Sequence, residues 1–422
     1  MRVWKWMGMA AAAALAVAIA APADAQQCPK GKLRIYTSWP MQGAMLAEGT
    51  GMKNGVDMAV AEVGGVVAGY CLEVVNLDDA SPQTGKWDGA VEAENANKAV
   101  ADPLAIVYIG TYNSGAAKVS IPINNRAHMA QITPANTYPG LTRKNGAAPG
   151  EPEIYRPMGF VNYFRVPPPD DVQGTVGAKW AKLLGAKKVY VLNDQELYGK
   201  GIADVFEAAA KKIGLQVAAN EGFDYKQPDQ KPLLTKVRAS GADFVYLAGV
   251  VDTGAPIILR QMKDLGLMAA RGVRLMGPDG LYEEEVLKAG TCDAAMGTEM
   301  RITFASLPFE KMKGIGATTY ENYKKKFGKE PTGYALYSAE SARIAIDGIK
   351  RAAADIEKGA NPMAKREAVR KAIAGLKNYD GLNGKFSFDE NGDTTSETMS
   401  GFKVVKSDKD PGCTFQFESV LE

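Results

Sequence analysis

Two short stretches, Ile109-Gly110-Thr111-Tyr112-Asn113-Ser114-Gly115 and Gln131-Ile132-Thr133-Pro134-Ala135-Asn136-Thr137, carry residue types suited to holding an anion. Each follows an apolar, strand-like run. The first run, Leu104 to Ile109, passes through a polar turn into residues 116–125, where Ala117, Ile121, Asn124 and Asn125 keep helical spacing and Asn113 or Ser114 is placed to cap. A helix therefore begins where a strand ends. In an open parallel sheet that junction offers a ligand unpaired backbone N–H groups and a positive helix end, and both favour a carboxylate. Read singly, Ser114 is equally an N-cap and Thr137 equally a turn residue.

Catalytic chemistry has less to stand on. The single histidine, His128, falls in an apolar run and reads as a core residue. There is no Gly-x-Ser-x-Gly elbow and no Gly-x-x-x-x-Gly-Lys, and Gly49-x-Gly51-x-x-x-Gly55 opens a helix without dinucleotide spacing. The segment Asp389-Glu390-Asn391-Gly392-Asp393 has its glycine at the wrong place for a calcium loop, and Ser400 stands where a bidentate Glu is needed, so it reads as a hairpin turn. The expectation is a binding protein, not an enzyme, with no metal and no cofactor.

These residues need a scaffold, and the chain alternates strands with amphipathic helices. Strands are expected at Leu33 to Thr37, Leu72 to Leu77, Leu104 to Ile109 and His128 to Ile132, with helices near Gly51 to Val63, Pro82 to Val100 and Ser114 to Asn125. The Pro- and Gly-rich stretch 139–159 reads as a surface excursion. The alternation then resumes through strands at 163–166, 188–192, 215–219, 244–247 and 273–276. Helical stretches follow at 308–326, 333–357 and 362–375, and strands at 385–388, 402–405 and 414–417. Two parallel α/β sheets are the natural outcome.

Arg2 and Lys5 precede an alanine-rich apolar stretch from Trp6 to Ala21, followed by Ala23-Asp24-Ala25, the pattern of a secretory signal peptide cleaved near Ala25. The stretch is too short for a confident membrane anchor, and no later segment has the roughly 18 apolar residues that spanning requires. Cleavage takes away two cations and one anion from a 422-residue chain of formal charge +2, and nothing in that balance points to nucleic acid. Four cysteines remain, Cys28, Cys71, Cys292 and Cys413; an even count in an oxidising compartment reads as disulfides.

Several weak motifs recur in a particular order: Arg34-Ile35-Tyr36-Thr37, Gly55 with Asp57-Met58-Ala59, Gly64-Gly65, Asp78-Asp79, Ile109-Gly110 with Ser114, Ile132-Thr133-Pro134-Ala135, Tyr198-Gly199, Gly277-Pro278-Asp279-Gly280 and Phe388 to Asp393. In that order the chain resembles the leucine/isoleucine/valine-binding family of periplasmic substrate-binding proteins. The resemblance implies two doubly wound parallel-sheet lobes joined by three crossovers, the type I periplasmic binding fold. It also implies a monomer that closes on a small molecule and delivers it to an ABC permease in the inner membrane. The expected division is 26–166 with 305–380 for the first lobe and 167–304 with 381–422 for the second.

Carried onto this chain, the resemblance gives Ser114 and the backbone around Ala135 and Thr137 to the ligand carboxylate. It gives Asp279 to an ammonium and Tyr198 to the closing face. Asp279 is also a candidate N-cap for residues 283–289. Trp39 and Tyr112, with Tyr138 and Tyr282, are candidates for an aromatic lining, Trp39 equally for packing within its own lobe. Val250 and Val251 replace an aromatic that relatives often carry. Cys28 with Cys71 and Cys292 with Cys413 are the expected bridges, each inside one lobe so that closure stays free. The ligand expected first is a branched-chain or other hydrophobic amino acid; an aromatic or other small organic acid, or a role as a soluble ligand sensor, is the alternative. A buried Asp279 favours the first and a solvent-turned Asp279 the second.

Overall fold

The computed structural model describes residues 28–288 and 291–422; the expected leader, residues 1–25, lies outside them. The first sheet contains β1 (Lys32–Trp39), β2 (Val66–Val67), β3 (Tyr70–Asp78), β4 (Ala105–Gly110), β5 (Ala130–Thr133) and β6 (Tyr163–Arg165), in the order β2-β3-β1-β4-β5-β6. Only β2 runs antiparallel. The second sheet begins with β7 (Lys188–Asn193), β8 (Gln216–Gly222), β9 (Phe244–Ala248), β10 (Arg274–Gly277) and β11 (Arg301–Phe304). After a separate hairpin of β12 (Tyr379–Gly381) and β13 (Gly384–Phe386), β14 (Met399–Lys406) and β15 (Cys413–Leu421) complete it, giving β15-β14-β11-β10-β9-β7-β8. The result is two α/β lobes with mostly parallel sheets.

Strand β4, Ala-Ile-Val-Tyr-Ile-Gly, is buried along its whole length, because it lies mid-sheet with helices on both faces and so has no polar face to alternate with. In the first lobe the helix Leu46–Glu62 packs directly on the helix Ala335–Arg351. Here the glycines of the near-miss motif find their use. A Cβ on Gly55 would stand 2.1 Å from Ala335 O, one on Gly51 2.0 Å from Thr332 Oγ1, and one on Gly49 2.0 Å from Pro40 O. Only glycine permits that approach, and Ser338 uses it to donate to Met52 O at 2.7 Å.

The chain leaves the first lobe after β6 and returns after β11. Its last passage comes later than residue 380. The hairpin β12–β13 packs on first-lobe helices, with Leu382 N–H donating to Glu340 Oε1 at 2.7 Å, and Thr394 N–H still bonds Arg165 O at 3.1 Å. In the run 385–388, Lys385 and Phe386 pair with Asp380 and Tyr379 and Phe388 bridges to Thr394, none of them with the second sheet, so the passage falls between Thr394 and Met399. Three smaller differences have local causes. His128 has φ 57° in the turn ahead of β5, half-buried, with Nδ1 3.2 Å from Glu367 Oε2. The helix expected from Pro82 begins at Gly89, where the Asp88 side chain accepts from Ala90 N and Val91 N. Stretch 139–159 is not wholly superficial: Leu141, Glu151 and Tyr155 are buried, and Tyr138 and Tyr155 both donate to the Glu151 carboxylate.

Both bridges form as the sequence suggests. Cys28 is bonded to Cys71, whose strand position pairs with Lys32, and Cys292 to Cys413, with Cα separations of 5.3 and 5.8 Å. Each stays within one lobe. No helix among the described residues is long and apolar enough to cross a membrane.

Candidate functional site

The carboxyl ends of the parallel strands of both sheets meet at one tightly closed cavity of about 20 Å³. It is lined by Tyr112, Asn113, Ser114 and Ala135 from the loops after β4 and β5, by Tyr198, Val250, Asp279 and Gly280 from those after β7, β9 and β10, and by Tyr334. That is the place where open α/β sheets take ligands.

On the first-lobe side the helix Ser114–Arg126 starts directly at the cavity. Its Ncap, Asn113, is extended at φ −81° and makes no side-chain cap bond; its Oδ1 is buried without a partner. The first backbone bonds run from Ala116 and Ala117 N–H to Asn113 O, so Ser114 and Gly115 lead the helix with their N–H groups toward the positive end. The Ser114 hydroxyl accepts only a long 3.4 Å bond from Tyr138 N–H. The neighbouring loop is braced by Thr133, whose hydroxyl donates to Thr111 O at 3.1 Å and accepts from Ala135 N and Asn136 N. Asn136 in turn donates from Nδ2 to Tyr112 O at 2.7 Å. The two stretches singled out in the sequence are thus tied to each other.

A buried ion pair stands behind them. Arg165 and Asp393 are both fully buried, Arg165 Nε donating to Asp393 Oδ1 at 2.9 Å and Nη1 to Tyr138 O at 2.9 Å. Arg143 Nε and the Thr142 hydroxyl donate to Asp393 Oδ2 at 2.5 and 3.0 Å. Burial alone would raise this carboxyl, but Arg165 and Arg143 outweigh it and hold it below the usual range.

On the second-lobe side Asp279 is 2% exposed. Tyr198 donates to its Oδ1 at 2.5 Å while accepting from Gly280 N–H at 3.0 Å, and Tyr334 donates to its Oδ2. Burial raises the Asp279 carboxyl, and the two phenols offset part of that. Asp170, at the start of the helix Asp170–Leu183, is raised well above the ordinary value by burial and then by the charge of Asp279; both its oxygens are buried without a hydrogen-bond partner. No Lys, Arg or His lines the cavity.

The lobes are closed on each other. Lys86 from the first reaches across to Asp252 O at 2.5 Å with its ammonium 4.2 Å from the Tyr225 ring, and Tyr112 donates to Glu283 Oε1 at 3.4 Å.

Of the residues expected at the site, Tyr112, Ser114, Ala135, Tyr198 and Asp279 come together at the cavity. Thr137 and Trp39 are not among its lining residues. Thr137 is fully buried with an unpartnered hydroxyl beside Asp170. Trp39 is fully buried in the first-lobe core, because β1 runs two residues past Thr37 and turns the indole inward. Tyr282 packs among Phe304, Phe402 and Phe415, and Tyr138 in a small cluster with Leu141 and Tyr155. A third tyrosine on the lining beside Tyr112 and Tyr198, Tyr334, was missed. It lies just ahead of the helix Ala335–Arg351, and only the third chain segment's return brings it there. Asp279 heads a short turn, Asp279–Leu281, whose cap is Pro278, so its side chain is spent on tyrosines and not on capping.

The profile of periplasmic binding proteins matches residues 32–410. The chain belongs to the periplasmic binding protein family. Among its relatives within that family, an amino acid binding protein of Pseudomonas aeruginosa is 30% identical over 82% of this chain and 85% of its own length. A Leu/Ile/Val-binding protein of Rhizobium johnstonii is 29% identical over 86% of this chain and 89% of its own. A leucine-binding protein of Thermotoga maritima superposes with a TM-score of 0.76 at 24% identity, over 92% of this chain and 98% of that one, and shares the two-lobed fold of periplasmic binding proteins.

Proposed function

We propose that this protein is an exported, monomeric solute-binding protein without catalytic activity that closes on a small amino acid, an aliphatic one first, and hands it to an ABC permease in the inner membrane. The observation that carries the reading is Asp279: a buried acid facing Ser114 and the start of its helix across one small cavity, with no basic side chain on the lining. A zwitterion answers both walls, its carboxylate at the helix start and its ammonium at Asp279. Ala135 and Val250 supply the apolar surface for a short side chain. The names of the relatives, which specify amino acids, support the same class. Three tyrosines on the lining favour an aromatic acid as second reading.

A thermal-shift screen of amino acids and aromatic acids separates the two, since a ligand at 100 times its dissociation constant adds about 2.7 kcal/mol of stability. Stabilisation by aromatic acids with none by amino acids would replace the first reading by the second. In either case the carboxylate uses the same wall. Ser114→Ala should weaken binding of the stabilising compound by about 1–3 kcal/mol in calorimetry, a hydrogen bond to a desolvated carboxylate being lost while the backbone donors remain.

A further inference from the structure

Two carboxyl groups meet across the cleft, outside the cavity. Glu48 stands on the first-lobe helix Leu46–Glu62 and is 1% exposed; Glu283, in the second lobe after the turn Asp279–Leu281, is 6% exposed. The side chains are close enough to share a hydrogen bond. Tyr334 N–H donates to Glu48 Oε1 at 2.8 Å and the Tyr112 hydroxyl to Glu283 Oε1 at 3.4 Å. The Thr332 hydroxyl and the Gly333 backbone also face the Glu48 carboxyl, and Glu48 Oε2 is buried from solvent. An ionised Glu283 only accepts, so it offers Glu48 nothing unless one of the two carries a proton. The other titratable groups facing the pair are Tyr323 on the side of Glu48, Glu285 beside Glu283, and Asp279 and Asp252 beyond Tyr112. All are acidic or neutral.

We propose that closure of the lobes takes up one proton, held between Glu48 and Glu283, so that this protein closes more readily as pH falls. When the lobes part, water separates two glutamates that are each ionised at neutral pH. When they meet, one proton from solvent turns repulsion between two buried carboxylates into a charge-assisted O–H···O bond, and opening returns it. Both carboxyls are raised by burial, Glu283 further by the charge of Glu48. A group raised in the closed form favours that form fully below its open-form value and loses the advantage as pH rises through the closed value. Between those limits one proton per closing event changes the closure constant by up to about tenfold per pH unit.

The inference rests on the closing-cleft reading and not on which ligand fills it, and its test begins without ligand. Small-angle scattering of the unliganded protein between pH 8 and pH 5 should show it becoming more compact as pH falls. Glu48→Gln, whose amide can donate to Glu283 without any proton, should give a smaller change; some remains because closing also buries Asp279. Glu283→Gln makes the same prediction from the other lobe, should one variant fail to fold. Radii for both variants that coincide with the parent at every pH would overturn the proposal. Calorimetry with L-leucine in buffers of different ionisation heat then counts protons: more are taken up by the parent than by either variant. Equal uptake by parent and variants also overturns it, whereas absence of any leucine heat bears on the amino acid reading alone, and the scattering result stands by itself.

Discussion

Asp279→Asn should abolish most of the affinity for an aliphatic amino acid, by about 2–5 kcal/mol, while the deaminated analogue of that amino acid binds the variant as well as or better than the parent. The asymmetry follows from the site's charge. Asp279 is buried, its two strongest donors are the neutral phenols of Tyr198 and Tyr334, and Asp170 behind it adds a second acid instead of a countercharge. An arriving ammonium is the group that stabilises an ionised Asp279 there. Asparagine keeps the shape and an acceptor for one phenol but offers the ammonium no charge. Calorimetry of the amino acid and its analogue against both proteins reads the result directly. Equal binding of the two by the parent, with no loss in the variant, would remove amino acids as the substrate class.

The second large effect is on stability. Asp393→Ala should destabilise the fold by about 3–5 kcal/mol in denaturant unfolding, because it leaves Arg165 fully buried and uncompensated and takes a partner from Arg143 as well. Arg165 also donates to Tyr138 O, so the loop behind Ser114 should loosen with it. The parent should show a matching acid sensitivity. Asp393 is held below the usual range, so its contribution is present above the ordinary aspartate value of about 3.9 and is lost as pH falls through the depressed one. The variant should lack that component of acid unfolding. An unchanged unfolding midpoint would mean that the pair contributes nothing net.

The local grammar of the chain was legible. Strand β4 is one continuous apolar run, Ser114 opens a helix at its end, and the cysteines stand at strand and helix starts, so each could be placed from its near neighbours. What could not be placed depends on segments that are remote in sequence. Tyr334 reaches the cavity because the third segment lies on the helix Leu46–Glu62, and Glu48 meets Glu283 where the two lobes close; no spacing rule links positions so far apart. Gly49, Gly51 and Gly55 were visible as a pattern whose purpose was not; their neighbours are Pro40, Thr332 and Ala335. Trp39 was left open between the cleft and its own lobe for a smaller reason. Strand pairing continues to Trp39 opposite Asp78, and two further residues of ladder decide which way an indole points.

The contact between Met52 and Ser338 spans 286 positions. Together with β14 and β15, which finish the second sheet from the last 24 residues, it means that neither lobe can be completed until nearly the whole polypeptide is available. During synthesis the early strands of the first lobe wait without the helix that covers them. Such long-range pairing folds slowly. For a chain exported as proposed above, that delay is useful: a translocation pore that admits only unfolded polypeptide meets one that has not yet been able to fold.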